Sequence, residues 1–114
     1  MTLPEYIHAL KKEIGDATTL SPLRASQILV ELSSLHGNIN DEIRAREMLY
    51  KHKLVECYEV EQTANRAKLR AETTPEYRLL REYQDLGKLV EELKRSLKYF
   101  IRIHQEEMTG YRNN

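Results

Sequence analysis

Residues 71–77 read AETTPEY, and they interrupt a chain that otherwise looks like one very long helix. Residues 40–72 contain neither Gly nor Pro, and residues 76–109 contain one Gly and no Pro. Pro75 lacks the N–H that a helix interior needs, but its fixed φ suits the first turn of a new helix. Thr74 can cap that turn, and Glu76 sits near its positive end. The stretch therefore predicts a reversal, with one helix over 40–72 and another over 75–109.

Apolar spacing on the two sides supports the reversal. After it, Leu79, Tyr83, Leu86, Val90, Leu93, Leu97, Phe100 and His104 alternate spacings of four and three, the seam of a coiled coil. Before it, Ile43, Tyr50, Cys57, Ala64 and Ala71 recur every seven residues. Their shrinking side chains admit a partner helix closely. A hairpin closed at 73–75 places Tyr83 opposite Arg66–Ala67 and Leu97 opposite His52–Lys53.

Further towards the N-terminus, Leu3, Ile7, Leu10 and Ile14 mark a short amphipathic helix over 4–14. Thr2 can cap it, Pro4 suits its first turn and Gly15 ends it. The polar run GDATTLS, 15–21, links it to a second helix over 22–36, opened by Ser21–Pro22. Gly37-Asn38 is a helix-ending signal, and Asn40-Asp41-Glu42 reads as a new start, yet the apolar spacing crosses the site in phase. The expectation is a single all-α domain over 1–114. It is an antiparallel helical hairpin of coiled-coil type, with one or two short N-terminal helices packed at the open end. Leu97, Phe100, Ile101, Ile103 and Met108 form an apolar face at that end, too wide for one partner helix. Either the N-terminal helices cover it or a second copy does, and a homodimer is expected.

Charge bounds the function classes. Lys+Arg and Asp+Glu both number 18, a balance that suits neither a nucleic-acid-coating protein nor a membrane-surface peptide. No run approaches the roughly 18 apolar residues of a membrane span. The N-terminus lacks the pattern of a signal peptide, and the lone Cys57 fits a reducing cytoplasm. Acidic 54–62 and basic 63–71 read as flanks that select the register of the hairpin. The run KRSLKYFIRIH, 94–104, is unbalanced: Lys94, Arg95, Lys98 and Arg102 occur without an acid. With Lys51 and Lys53 on the expected facing segment, they make a positive band suited to a nucleic acid or an acidic partner surface. The plain alternative is a solvated helix face.

Sequence motifs of catalysis are missing. The four histidines share no metal-ligand spacing with one another or with Cys57, and no Glu-x-x-His pair occurs. Neither a phosphate-binding loop nor a dinucleotide fingerprint nor a nucleophile elbow is present. No cofactor and no enzymatic activity are expected.

The stretch TANRAKLRAETTPEYRLLREYQDLGKLVEELKRSLKYFIRIHQEE, from residue 63 to residue 107, resembles small helical proteins of tailed bacteriophages and prophages. In those a basic, Ala-containing stretch precedes a Thr- and Tyr-bearing turn, and a helix with a Leu-Lys-Tyr motif and an acidic tail follows. The matching residues are Ala67, Lys68, Thr74, Tyr77, Leu97, Lys98, Tyr99 and Glu107. Such proteins often stand beside replication or recombination genes. The resemblance implies an accessory protein in the cytoplasm of a bacterial host, binding a protein or a protein–nucleic-acid complex of DNA replication or recombination. Two alternatives share the same features: an inhibitor of a bacterial defence nuclease, and a structural, self-assembling coiled coil.

Overall fold

The computed structural model describes residues 1–16 and 18–113, with side chains through residue 110. Ala17 of the 15–21 linker lies outside the described residues. The fold is all-α, with helices α1 (Leu3–Gly15), α2 (Pro22–Val60), α3 (Ala64–Ala71) and α4 (Pro75–Asn113). The long helices α2 and α4 pack antiparallel, and the short α1 and α3 pack against them.

Local chemistry explains most of the helix ends. Thr2 and Glu5 form a capping box: the Glu5 N–H donates to Thr2 Oγ1, and the Thr2 N–H donates to Glu5 Oε2. Ser21 Oγ accepts the Arg24 N–H at 3.0 Å, opening α2. At the junction of α3 and α4, Thr74 Oγ1 accepts the Tyr77 N–H at 3.4 Å, and the Thr73 hydroxyl donates to the Arg70 carbonyl at 2.7 Å. The expected reversal is not here, because α3 already folds back on α2 and α4 continues antiparallel to α2, with Tyr77 beside Tyr50.

Two expected boundaries are corrected. Helix α2 runs unbroken through Gly37-Asn38, so the expected helices over 22–36 and 40–72 are joined there. Gly37 has no left-handed φ, and Ile28, Leu32 and Ile39 are all fully buried on one stripe. Burying one such side chain contributes about 1.5–3 kcal/mol, more than the ~1 kcal/mol disadvantage of Gly in a helix. The break falls instead at 61–63. Thr63 is extended (φ −126°, ψ 152°), and its hydroxyl accepts the Arg66 N–H at 3.2 Å, capping α3. Small side chains make the fold-back possible: Ala67 and Ala71 pack on Cys57, flanked by Tyr50 and Leu54. Arg70 Nη1 lies 3.0 Å from Glu61 Oε1, tying the two sides of the break together.

The chain divides into two compact units, and α2 and α4 contribute to both. One is Gly37–Gly87. In it the Tyr50 and Tyr77 rings lie 5.2 Å apart, and the Arg46 guanidinium sits 5.5 Å above the Tyr83 ring. Gly87 faces Ile39 and Ile43. Tyr83 therefore lies against Arg46, not against Arg66–Ala67. The expected register assumed an uninterrupted helix to residue 72; the break at 61–63 removes that helix, and α4 slides along α2 accordingly.

The other unit comprises Met1–His36 with α4 from Lys88 onward. Its core holds Ile7 and Leu10 of α1, Ala25, Ile28 and Leu32 of α2, and Val90, Leu93 and Leu97 of α4. The Tyr6 hydroxyl donates to Glu31 Oε2 at 2.8 Å, and Arg24 Nε donates to Glu13 Oε1 at 2.6 Å, fixing α1 on α2. Helix α1 and the start of α2 thus supply cover for the wide apolar face of α4. None of the described helices is long and apolar enough to cross a membrane.

Candidate functional site

The basic run of α4 has its own surroundings in the unit that contains α1. Lys94 is half-buried, and its Nζ donates to His36 Nδ1 at 3.5 Å. The proton of a neutral His36 ring is then on Nε2, which lies 3.8 Å from Glu91 Oε1. These three side chains form a chain from α4 to α2 and back that holds the Lys94 ammonium over an open groove. His36, Glu91, Lys94, Arg95 and Lys98 line that groove, whose volume is about 350 Å³. Arg95 and Lys98 are exposed and form no ion pair with described residues. One turn beyond, the Arg102 guanidinium stacks 5.4 Å from the Tyr99 ring, which is itself exposed. Three cations around a single carboxylate make a site for an anionic group, with a flat aromatic face nearby.

The expected positive band is only partly assembled. Lys94, Arg95, Lys98 and Arg102 lie along α4 in this unit. Lys51 and Lys53 belong to the other unit, and the observed register does not set them opposite residues 94–102. Lys53 is engaged locally: its Nζ lies 3.2 Å from Glu56 Oε2. That hydrogen bond, with the Glu56 charge, raises the lysine above its ordinary range. Lys51 is exposed. His36 was not singled out as a site residue, because its partnership with Lys94 and Glu91 depends on the register of α2 on α4. In the sequence alone it reads as part of a helix-ending signal before Gly37.

The apolar face also divides. Leu97 is fully buried and belongs to the core of its own chain. Phe100 is half-buried, its ring 4.3 Å from that of His104, and Ile103 is half-buried. Ile101 and Met108 line a second, larger groove of about 710 Å³ between the start of α2 and the end of α4. Leu23, 71 % exposed, forms part of its wall, and Met108 is 60 % exposed. Leu23 precedes the apolar repeat that begins at Ile28, so its spacing gave no hint of a surface role.

Among the described residues no three His, Cys, Asp or Glu side chains converge as a metal site. Cys57 is buried against Ala67 and Ala71, where it acts as a small apolar residue. In comparisons with known proteins, the chain matches no family model, no curated sequence and no solved structure.

Proposed function

We propose that this protein is a non-enzymatic binding module that presents the basic groove of α4 to an anionic partner surface. The observation that carries the reading is the set of Lys94, Arg95 and Lys98 around one open groove, with Lys94 positioned by His36. Elsewhere in the chain, Arg24, Arg46 and Arg70 are each held by a carboxylate of their own chain. Arg95 and Lys98 remain available for an external charge. The resemblance of residues 63–107 to small phage and prophage proteins supports the setting. The module works in the cytoplasm of a bacterial host, and its partner is a protein or protein–nucleic-acid complex of DNA replication or recombination. Charge-assisted contacts to carboxylates or phosphates would give the complex its specificity and its dependence on salt.

Capture from a phage-bearing host lysate tests this, comparing the wild-type chain with the Lys94→Gln/Arg95→Gln/Lys98→Gln variant. Gln retains good helix propensity, and the exposed charges of Arg95 and Lys98 contribute little to stability; circular dichroism checks that the fold persists without the half-buried Lys94–His36 contact. The wild type is expected to retain a replication or recombination factor that the variant loses. Equal capture by the two would remove the basic groove from consideration.

A further inference from the structure

We infer, resting on the binding role proposed above, that the basic strip of α4 takes single-stranded nucleic acid directly, with phosphates on Lys94, Arg95, Lys98 and Arg102 and a base on the Tyr99 ring. Arg95, Lys98, Tyr99 and Arg102 fall within about 100° of one another around the helix, at ~100° per residue. All four are exposed. Arg95, Lys98 and Arg102 form no ion pair with described residues. From Leu93 to Gln105 the sequence holds no acid. Glu91, at the edge of the groove, has its Oε1 3.8 Å from His36 Nε2. The cations also repeat. Lys94, Lys98 and Arg102 follow every four residues, about 6 Å apart along the axis at ~1.5 Å per residue. That step is comparable to the one between successive phosphates of an extended strand.

The aromatic ring decides between anionic ligands. Carboxylates of an acidic protein would engage the cations and leave Tyr99 without a role. Tyr99 is 57 % exposed within the strip, and the Arg102 guanidinium lies 5.4 Å from its ring centroid. That contact steadies the ring from one side. The exposed remainder of the ring is a platform of the kind on which unpaired bases stack, set among cations that follow the backbone. A duplex offers phosphates but keeps its bases stacked on one another, so it leaves the platform unused. From Arg95 to Arg102 the strip runs about 10 Å at ~1.5 Å per residue, a length for a few nucleotides. The zero net charge of the chain does not cancel so local a contact. Exposed charges farther away than the Debye length, about 8 Å in physiological salt, are largely screened.

Fluorescence anisotropy with labelled probes provides the test. The full chain should bind oligo-dT more tightly than an abasic strand, a DNA duplex or polyglutamate, all of equal length. Tyr99→Ala should weaken oligo-dT binding at least about fivefold, the low end of base–aromatic stacking. The same variant should bind the abasic strand as the wild type does, and Tyr99→Phe should retain wild-type affinity for oligo-dT. Lys98→Gln should weaken both strands and make the log–log salt dependence shallower by about 0.7. Circular dichroism of each variant checks that the helices persist. Oligo-dT bound no better than the abasic strand or the duplex, or unaffected by Tyr99→Ala, would overturn the inference. Preference for polyglutamate, lost in Lys98→Gln, would also overturn it and leave the proposed function standing. Binding of none of the probes would overturn it as well, and the capture comparison would then decide the proposed function separately.

Discussion

Tyr50 and Tyr77 meet with ring centroids 5.2 Å apart, and this contact records the register of α2 against α4. Arg46 on Tyr83 repeats it little more than a turn further on. Spin labels can read the register directly. In a Cys57→Ser background, labels at Arg46→Cys and Tyr83→Cys should be separated by little more than the spacing of packed helices, about 10 Å. If Tyr83 instead faced Arg66, the same labels would be roughly 30 Å apart, at ~1.5 Å per residue.

Gly37 sits inside α2 with open space where a Cβ would be, and without a left-handed φ. Gly37→Ala should therefore stabilise the protein by about 1 kcal/mol, the helix-propensity difference between the two residues. Denaturant unfolding measures this as a higher midpoint at unchanged slope. A destabilised variant would show that the helix is interrupted at Gly37.

Docking of α1 should respond to pH from both sides. Arg24 donates to both Glu13 oxygens, at 2.6 and 2.9 Å, and holds that carboxyl below its ordinary value of 4.5. The carboxylate form is therefore favoured by folding. Its contribution is complete above the ordinary value and is lost as pH falls through the lower folded one. Tyr6 behaves in the opposite sense. Its hydrogen bond to Glu31 raises the phenol above 10.0, so that contribution is complete below the ordinary value and disappears as pH rises through the folded one. Protection of the α1 amides, measured against their intrinsic exchange rates at each pH, should be greatest between these limits. Glu13→Gln should remove the acid-side step and Tyr6→Phe the alkaline one. An unchanged acid limit in Glu13→Gln would show that Arg24 does not anchor α1.

Features specified by neighbouring residues were legible in the sequence. The capped starts of α1 and of α4 at Thr74–Pro75 depend on side chains that bond their own backbone within three residues, but the reversal expected at 73–75 falls at 61–63. The wide apolar face of α4, and its need for cover, followed from spacing alone. The break at 61–63 was not legible: it contains neither Gly nor Pro, and it exists because Ala67 and Ala71 pack on Cys57. Heptad positions repeat, so an error in one helix end passes into every cross-helix pairing. That is why Lys51 and Lys53 were set opposite Lys94 and Lys98, and why His36 was missed. The cluster Lys94, Arg95, Lys98 and Arg102 survived the shift because it lies on one helix.

If the basic groove of α4 lined by Lys94, Arg95 and Lys98 holds the partner, lysine-specific chemical modification of the captured complex shows it most directly. Mass spectrometry would compare each lysine in the free chain with the same lysine in the complex. Lys94 and Lys98 should be protected on binding, whereas Lys11 and Lys12 on α1 should react as they do in the free chain. Undiminished modification of Lys94 and Lys98 in a complex that remains intact would show that the partner binds elsewhere.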